Sequence, residues 1–154
     1  MHRVLLALIV VAFATAAAAE PFEGLKPGMP VAEVRRILGP GASQDPFSTG
    51  YALVVSRPDG RILSVDVCTK GGGETVVGVA EQFGTTLAAF ATEVAEAKGR
   101  LGEPQWTVTI PPKTSGASAL LMATWQTPDG PLIVGVIQVG GSMGVYRDLR
   151  RPCG

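Results

Sequence analysis

LKPGMPVAEVRRILG, residues 25–39, reads as a short helix launched by proline and stopped by glycine. Pro30 suits the first turn of a helix, where its missing N–H would have had no partner. Val31, Val34, Ile37 and Leu38 then fall on one apolar stripe, with Glu33, Arg35 and Arg36 facing out. Gly39 is a natural left-handed terminator and Pro40 forbids continuation. The helix returns. Val31-Ala32-Glu33-Val34-Arg35-Arg36-Ile37-Leu38-Gly39 is echoed by Val94-Ala95-Glu96-Ala97-Lys98-Gly99-Arg100-Leu101-Gly102, 63 positions on.

The chain around this pair follows the same plan twice. After the first helix comes a polar loop over 40–50, a strand from Tyr51 to Ser56, the turn Pro58-Asp59-Gly60, and a returning strand from Ile62 to Cys68. Leu63, Val65 and Val67 alternate with Ser64 and Asp66, the pattern of a sheet with one wet face. Gly71-Gly72-Gly73 turns the chain into a third strand, Thr75 to Ala80. The second helix is expected from Thr85 to Leu101, capped by Thr85 or Thr86, with Leu87, Phe90, Val94 and Leu101 as its stripe and Glu96–Arg100 as a favourable pair. Trp106 to Ile110 is short and β-prone, and PPKTSGAS, residues 111–118, reads as a loop. Strands follow at Ala119 to Gln126, Leu132 to Val139 and Val145 to Leu149, with turns at Pro128-Asp129-Gly130 and Gly140-Gly141.

The two Pro-Asp-Gly turns lie 70 positions apart. At that offset Val55 falls on Trp125, Leu63 on Ile133, Val67 on Ile137 and Val76 on Tyr146. The expected fold class is α+β: two tandem αβββ repeats, about 20–80 and 81–154, making a single domain with both helices on one face of antiparallel sheet.

Residues 1–19 have the layout of a signal peptide: Arg3, an apolar run from Leu5 to Ala14, and Ala17-Ala18-Ala19 as a cleavage site. The run is too short to span a bilayer. Position 20 is Glu rather than a lipid-attachment Cys, so the expectation is a soluble periplasmic or secreted protein that is not lipid-anchored. Removing Arg3 leaves one more acidic than basic residue, so nucleic acid and anionic membranes are not implied partners. Arg147, Arg150 and Arg151 form the one basic cluster and read as a solvated tail.

The single histidine, His2, lies in the signal. A processed chain therefore lacks imidazole, which excludes Ser-His-Asp and Cys-His pairs and His-ligated zinc. Cys68 and Cys153 are the only cysteines. An internal bridge between them, an intermolecular bridge and two free thiols are the alternatives, and an oxidising compartment favours the internal bridge.

The residues Gly24-Leu25-Lys26-Pro27-Gly28-Met29-Pro30, Glu33-Val34 and Ile37-Leu38-Gly39-Pro40 resemble the opening of the SmpA/OmlA family, small outer-membrane lipoproteins of the β-barrel assembly machinery. The arrangement is also similar to the tandemly repeated fold of the β-lactamase-inhibitor-protein type. The resemblance implies a helix-on-sheet module that binds other proteins and catalyses nothing. This chain departs from it in lacking the lipoprotein cysteine, in having Pro30 where a small polar cap is common, and in lacking a second Gly-Met lead-in before the second helix.

Four amphipathic aromatics, Tyr51, Trp106, Trp125 and Tyr146, are candidates for a docking surface, since one end of each is apolar and the other can hydrogen-bond. Tyr51 and Trp106 are expected to be the exposed, partner-binding pair, and Trp125 and Tyr146 to pack in the core. Asp59 and Asp129 are explained by their turns. Asp66 with Glu74 lacks the oxygen spacing of a calcium loop, and the glycine runs lack the ending that phosphate binding needs. No catalytic residue, metal site or cofactor is assigned. The expected function is a non-catalytic module for another envelope or extracellular protein, an inhibitor or accessory factor, with a carrier of a small apolar ligand or lipid as the alternative.

Overall fold

The computed structural model describes residues 21–109, 117–139 and 141–154. The signal-like segment, most of PPKTSGAS and Gly140 lie outside the described residues. A 3-10 turn, Pro21–Gly24, leads into α1 (Val31–Leu38). Strands β1 (Ser43–Phe47), β2 (Gly50–Ser56), β3 (Ile62–Cys68) and β4 (Thr75–Gly84) follow. Then come α2 (Leu87–Leu101), β5 (Gln105–Thr109), β6 (Ala117–Thr127), β7 (Gly130–Val139) and β8 (Ser142–Arg150). The fold is α+β, with the described strands in one antiparallel sheet of order β1-β2-β3-β4-β8-β7-β6-β5.

Local chemistry sets the helix ends. Pro30 precedes α1, and Gly39 leaves it at φ +82°, a conformation that costs glycine nothing. Thr86 caps α2 by accepting from the Ala89 N–H at 3.2 Å. The stripe of α2 differs from the expected one. Phe90, Glu93, Val94 and Ala97 point inward, while Leu87 and Leu101 are exposed. These two leucines sit at the helix ends, and Glu93 takes an inward place because it has a cation to meet there. The Glu96–Arg100 pair does not form among the described residues; Lys98 instead reaches Glu103.

Four strands follow each helix rather than three. The 40–50 stretch is not all loop: Ser43–Phe47 pairs along β2. This segment is exposed throughout and contains Pro46, so it shows no alternation, and an edge position is where a strand tolerates proline. The outer strand at the opposite edge, β5, is likewise exposed throughout.

A constant offset of 70 fails after the second Pro-Asp-Gly turn. Leu63 and Val67 are fully buried, whereas Ile133 and Ile137 are half-buried and alternate with buried Val134 and Val136. The reason is the turn. Arg57 and Arg61 close the first one around three residues, but Thr127 pairs directly with Gly130 in the second. One residue fewer moves every following side chain to the other face. Tyr146, by the same slip, stands beside buried Val145 rather than in its place.

The core lies in two clusters. One joins Val34 and Leu38 of α1 with Leu53, Leu63, Val65, Val67, Val76 and Val79, and takes in Phe22 and Leu25 from the lead-in. The other joins Phe90, Val94 and Ala97 of α2 with Ala123, Trp125, Val134, Val136 and Val145. Leu132 packs against both. Cys68 and Cys153 are bridged, with Cα atoms 5.7 Å apart, in the usual range for a disulfide. The bridge ties the end of β3 to the residues after β8. Among the described residues, no helix is long and apolar enough to cross a membrane.

Candidate functional site

The row Trp106–Ala123–Val134–Arg147–Glu81–Leu63–Val55 crosses the sheet from β5 to β2, each residue paired with the next. It begins on an exposed tryptophan and has a buried ion pair at its centre. Trp106 is 52% exposed, and Val108, next on the same face of β5, is 68% exposed. The Phe90 ring of α2 meets Trp106 edge-on, centroids 6.3 Å apart, so one side of the indole is anchored and the other is open.

The central pair belongs to a larger network. Arg147 donates through Nε to Glu81 Oε2 at 2.7 Å and through Nη1 to Glu93 Oε1 at 3.0 Å. Glu81 also accepts from Arg61 Nη1 at 2.7 Å and from the Phe22 N–H at 3.2 Å. Arg61 and Arg57 both reach Glu23. The Arg147 guanidinium lies 5.3 Å from the Phe22 ring centroid and 5.2 Å from that of Phe83. Arg147, Glu81 and Glu93 are nearly sealed from solvent, at 7%, 0% and 8% exposure. Burying such charges is tolerated because, among the described residues, no buried side-chain nitrogen or oxygen lacks a hydrogen-bond partner. Phe22 and Glu23 adopt positive φ of 57° and 54°, which is strained for side chains of this kind. The strain is held by burial of the phenyl ring and by the two arginines on Glu23. With Glu81 fully buried, this network ties together the lead-in, α2, β3, β4 and β8.

Arg147 is therefore no part of a solvated tail. It faces inward by strand parity, between Val145 and Leu149. Arg150 pairs with Asp66 at 3.0 Å on the other face, and Arg151 with Asp129 at 2.8 Å. Asp59 accepts from the Arg61 backbone and Nε, and these bonds hold its carboxyl below the usual carboxylate range.

The second face of the sheet carries Leu120, Met122, Ile133, Ile137 and Tyr146, all half-buried, around a polar centre. Tyr146 lies over Gly135, where any side chain would collide with the phenol ring. Burial pushes the Tyr146 hydroxyl above its ordinary range, with the Asp148 charge adding to it. Burial likewise raises Asp148, against the opposing pull of Arg150.

The expected exposed pair separates. Trp106 is exposed, but Tyr51 is 6% exposed. Tyr51 points inward from β2, and its hydroxyl donates to Glu74 Oε1 at 2.7 Å and accepts from Arg35 Nη2 at 3.3 Å. Burial, followed by the Glu74 bond, raises its pKa. Strand parity put it there: Tyr51, Leu53 and Val55 share a face. Trp125 is buried, its indole N–H donating to the Gly102 carbonyl at 2.8 Å, and this closes the end of α2. Tyr146 lies on the second face, outside both core clusters.

The buried charges could have been found in the sequence. Glu81 follows Val79 at the inward parity of β4, Glu93 stands three residues from Phe90 and four from Ala97, and Arg147 stands between two inward apolar residues. Three charges at apolar positions must find each other. Among the described residues, no cluster of metal-ligating side chains forms. Comparison with models of protein families, with curated proteins and with solved structures gives no match to this chain.

Proposed function

We propose that the chain is a non-catalytic, exported protein-binding module, built as a tandem duplication with both helices against one sheet face and a partner docking on the other. The observation that carries the docking reading is the second face itself, where Leu120, Met122, Ile133 and Ile137 stay half-buried around Tyr146. A patch of apolar side chains with a central amphipathic aromatic is the composition of a protein interface. Asp66, Asp148 and Arg150 on the same face supply the charged register points.

The duplication is supported by corrected offsets. Val55 matches Trp125 at 70, Leu63 and Val65 match Leu132 and Val134 at 69, and Val79 matches Arg147 at 68. Under these offsets the sheet order is symmetric about the β4–β8 junction, and each half sends its helix into its own cluster. The resemblance of residues 24–40 to the SmpA/OmlA opening agrees with a helix-on-sheet binding module. The disulfide suits a periplasmic or secreted setting.

A carrier role finds less support. The surface groove at the end of α1 is lined by Arg35, Arg36, Gly39, Pro40 and Ala42, and its guanidinium walls do not suit an apolar ligand. The test is capture from envelope extract under mild crosslinking, with wild type beside Ile133→Arg. The reading expects a discrete protein enriched by wild type and lost with the variant. Equal capture by both would remove the second face from the proposal, and no enrichment by either would remove the function.

A further inference from the structure

The two edges of the sheet are not alike. The β1 edge, Ser43-Gln44-Asp45-Pro46-Phe47, carries a charge and a proline, the usual devices against strand pairing. The β5 edge, Gln105-Trp106-Thr107-Val108-Thr109, carries neither. Every residue in it favours or tolerates a strand, and on its inner side it pairs with β6 from Gln105↔Thr124 to Thr109↔Leu120. Among the described residues nothing pairs with its outer side, which offers backbone donors and acceptors in register.

We propose that β5 is a homodimerisation edge, and that its occupant is the β5 of a second copy, antiparallel about a twofold axis at Thr107. The sequence of the strand is self-complementary in that register. Trp106 of one copy stands opposite Val108 of the other, twice, making two aromatic–β-branched pairs on the helix-bearing face. Thr107 meets its own copy, and Gln105 meets Thr109. No charge opposes a like charge, because the strand has none. Trp106 and Val108, among the most exposed large apolar side chains described, would cover each other. A peptide of unrelated sequence could add to the same edge, but only a second copy is certain to present this matching row. Self-pairing of the β1 edge would instead face a strand lacking the Pro46 N–H and bring the Asp45 charges close together.

The dimer does not depend on docking at the second face, and its test is separate. Sedimentation velocity of the purified protein over a wide concentration range should show a reversible dimer. Thr107→Lys puts like charges directly opposite across the axis and should weaken the dimer roughly tenfold or more. Thr107→Asp should do the same, and an equimolar mixture of the two variants should dimerise again. Thr107 is exposed, so at protein concentrations low enough for wild type to be monomeric, melting curves of both variants should match it. A wild type that stays monomeric throughout, a Thr107→Lys protein that dimerises like wild type, or a mixture that remains monomeric would each overturn the assignment.

Discussion

Glu81 and Arg147 face each other across the β4–β8 junction, and two positions along the same strands Val79 faces Leu149. One junction is thus charged on one side of its centre and apolar on the other. The apolar pair seals the α1 cluster, while the charged pair reaches Glu93 of α2 and the Phe22 lead-in. Removing one partner is costly because the others stay buried. Arg147→Met leaves Glu93 without its cation and Glu81 with Arg61 and the Phe22 N–H. It should lower unfolding free energy by about 3–5 kcal/mol. Urea denaturation measures this, and a loss within the error of the fit would mean that the network is not buried in solution.

The disulfide closes a long loop, from Cys68 to Cys153, 85 positions apart. Constraining the unfolded chain over that length stabilises by about 4–5 kcal/mol in the chain-entropy model. The bridge also fixes the residues that follow β8, where Arg151 donates its backbone N–H to Val77. Cys153→Ser, or wild type held reduced, should therefore unfold at clearly lower urea. Matching curves with and without reductant, after mass analysis has verified the bridge, would contradict this.

Asp148 gives a pH prediction. Burial raises its folded pKa above the unfolded value, so in that window the folded state binds more protons than the unfolded one. Stability from this group is fully present below the unfolded pKa and falls as pH rises through the folded pKa. Asp148→Asn should flatten the decline over that window and leave the protein at least as stable as wild type at neutral pH. Denaturation between acid and neutral pH checks the slope. An opposite slope difference would show that the Arg150 contact outweighs burial.

What the sequence made legible follows from what periodicity records. The helices and the strands at Ile62–Cys68 and Thr75 onward show in the alternation of apolar and polar residues, because burial imposes it. β1 lacks that trace: its residues are exposed on both faces, and pairing with β2 alone makes it a strand. The face of Ile133 depended on one residue in a turn, which a matching Pro-Asp-Gly signature concealed. The place of Tyr51 does not follow from its amphipathic character, which suits both a surface and a core with Arg35 and Glu74 nearby. The charged seam draws Glu81, Glu93 and Arg147 from three distant elements, and only the fold brings them together.

The two tryptophans should respond in opposite ways. Trp125 is sealed in the α2 cluster with its N–H bonded to Gly102, so Trp125→Ala should cost about 3–5 kcal/mol from lost burial and the cavity together. Trp106 meets the Phe90 ring edge-on and is half open, so Trp106→Ala should cost under about 1 kcal/mol in dilute monomer. Fluorescence separates them without mutation of the fold: Trp125→Phe leaves an emission that acrylamide quenches strongly, and Trp106→Phe leaves one that is protected. Raising protein concentration should protect Trp106 and leave Trp125 unchanged, since pairing of β5 would cover the first and not the second. Equal quenching of both at every concentration would contradict the burial of Trp125 and the role of the edge together.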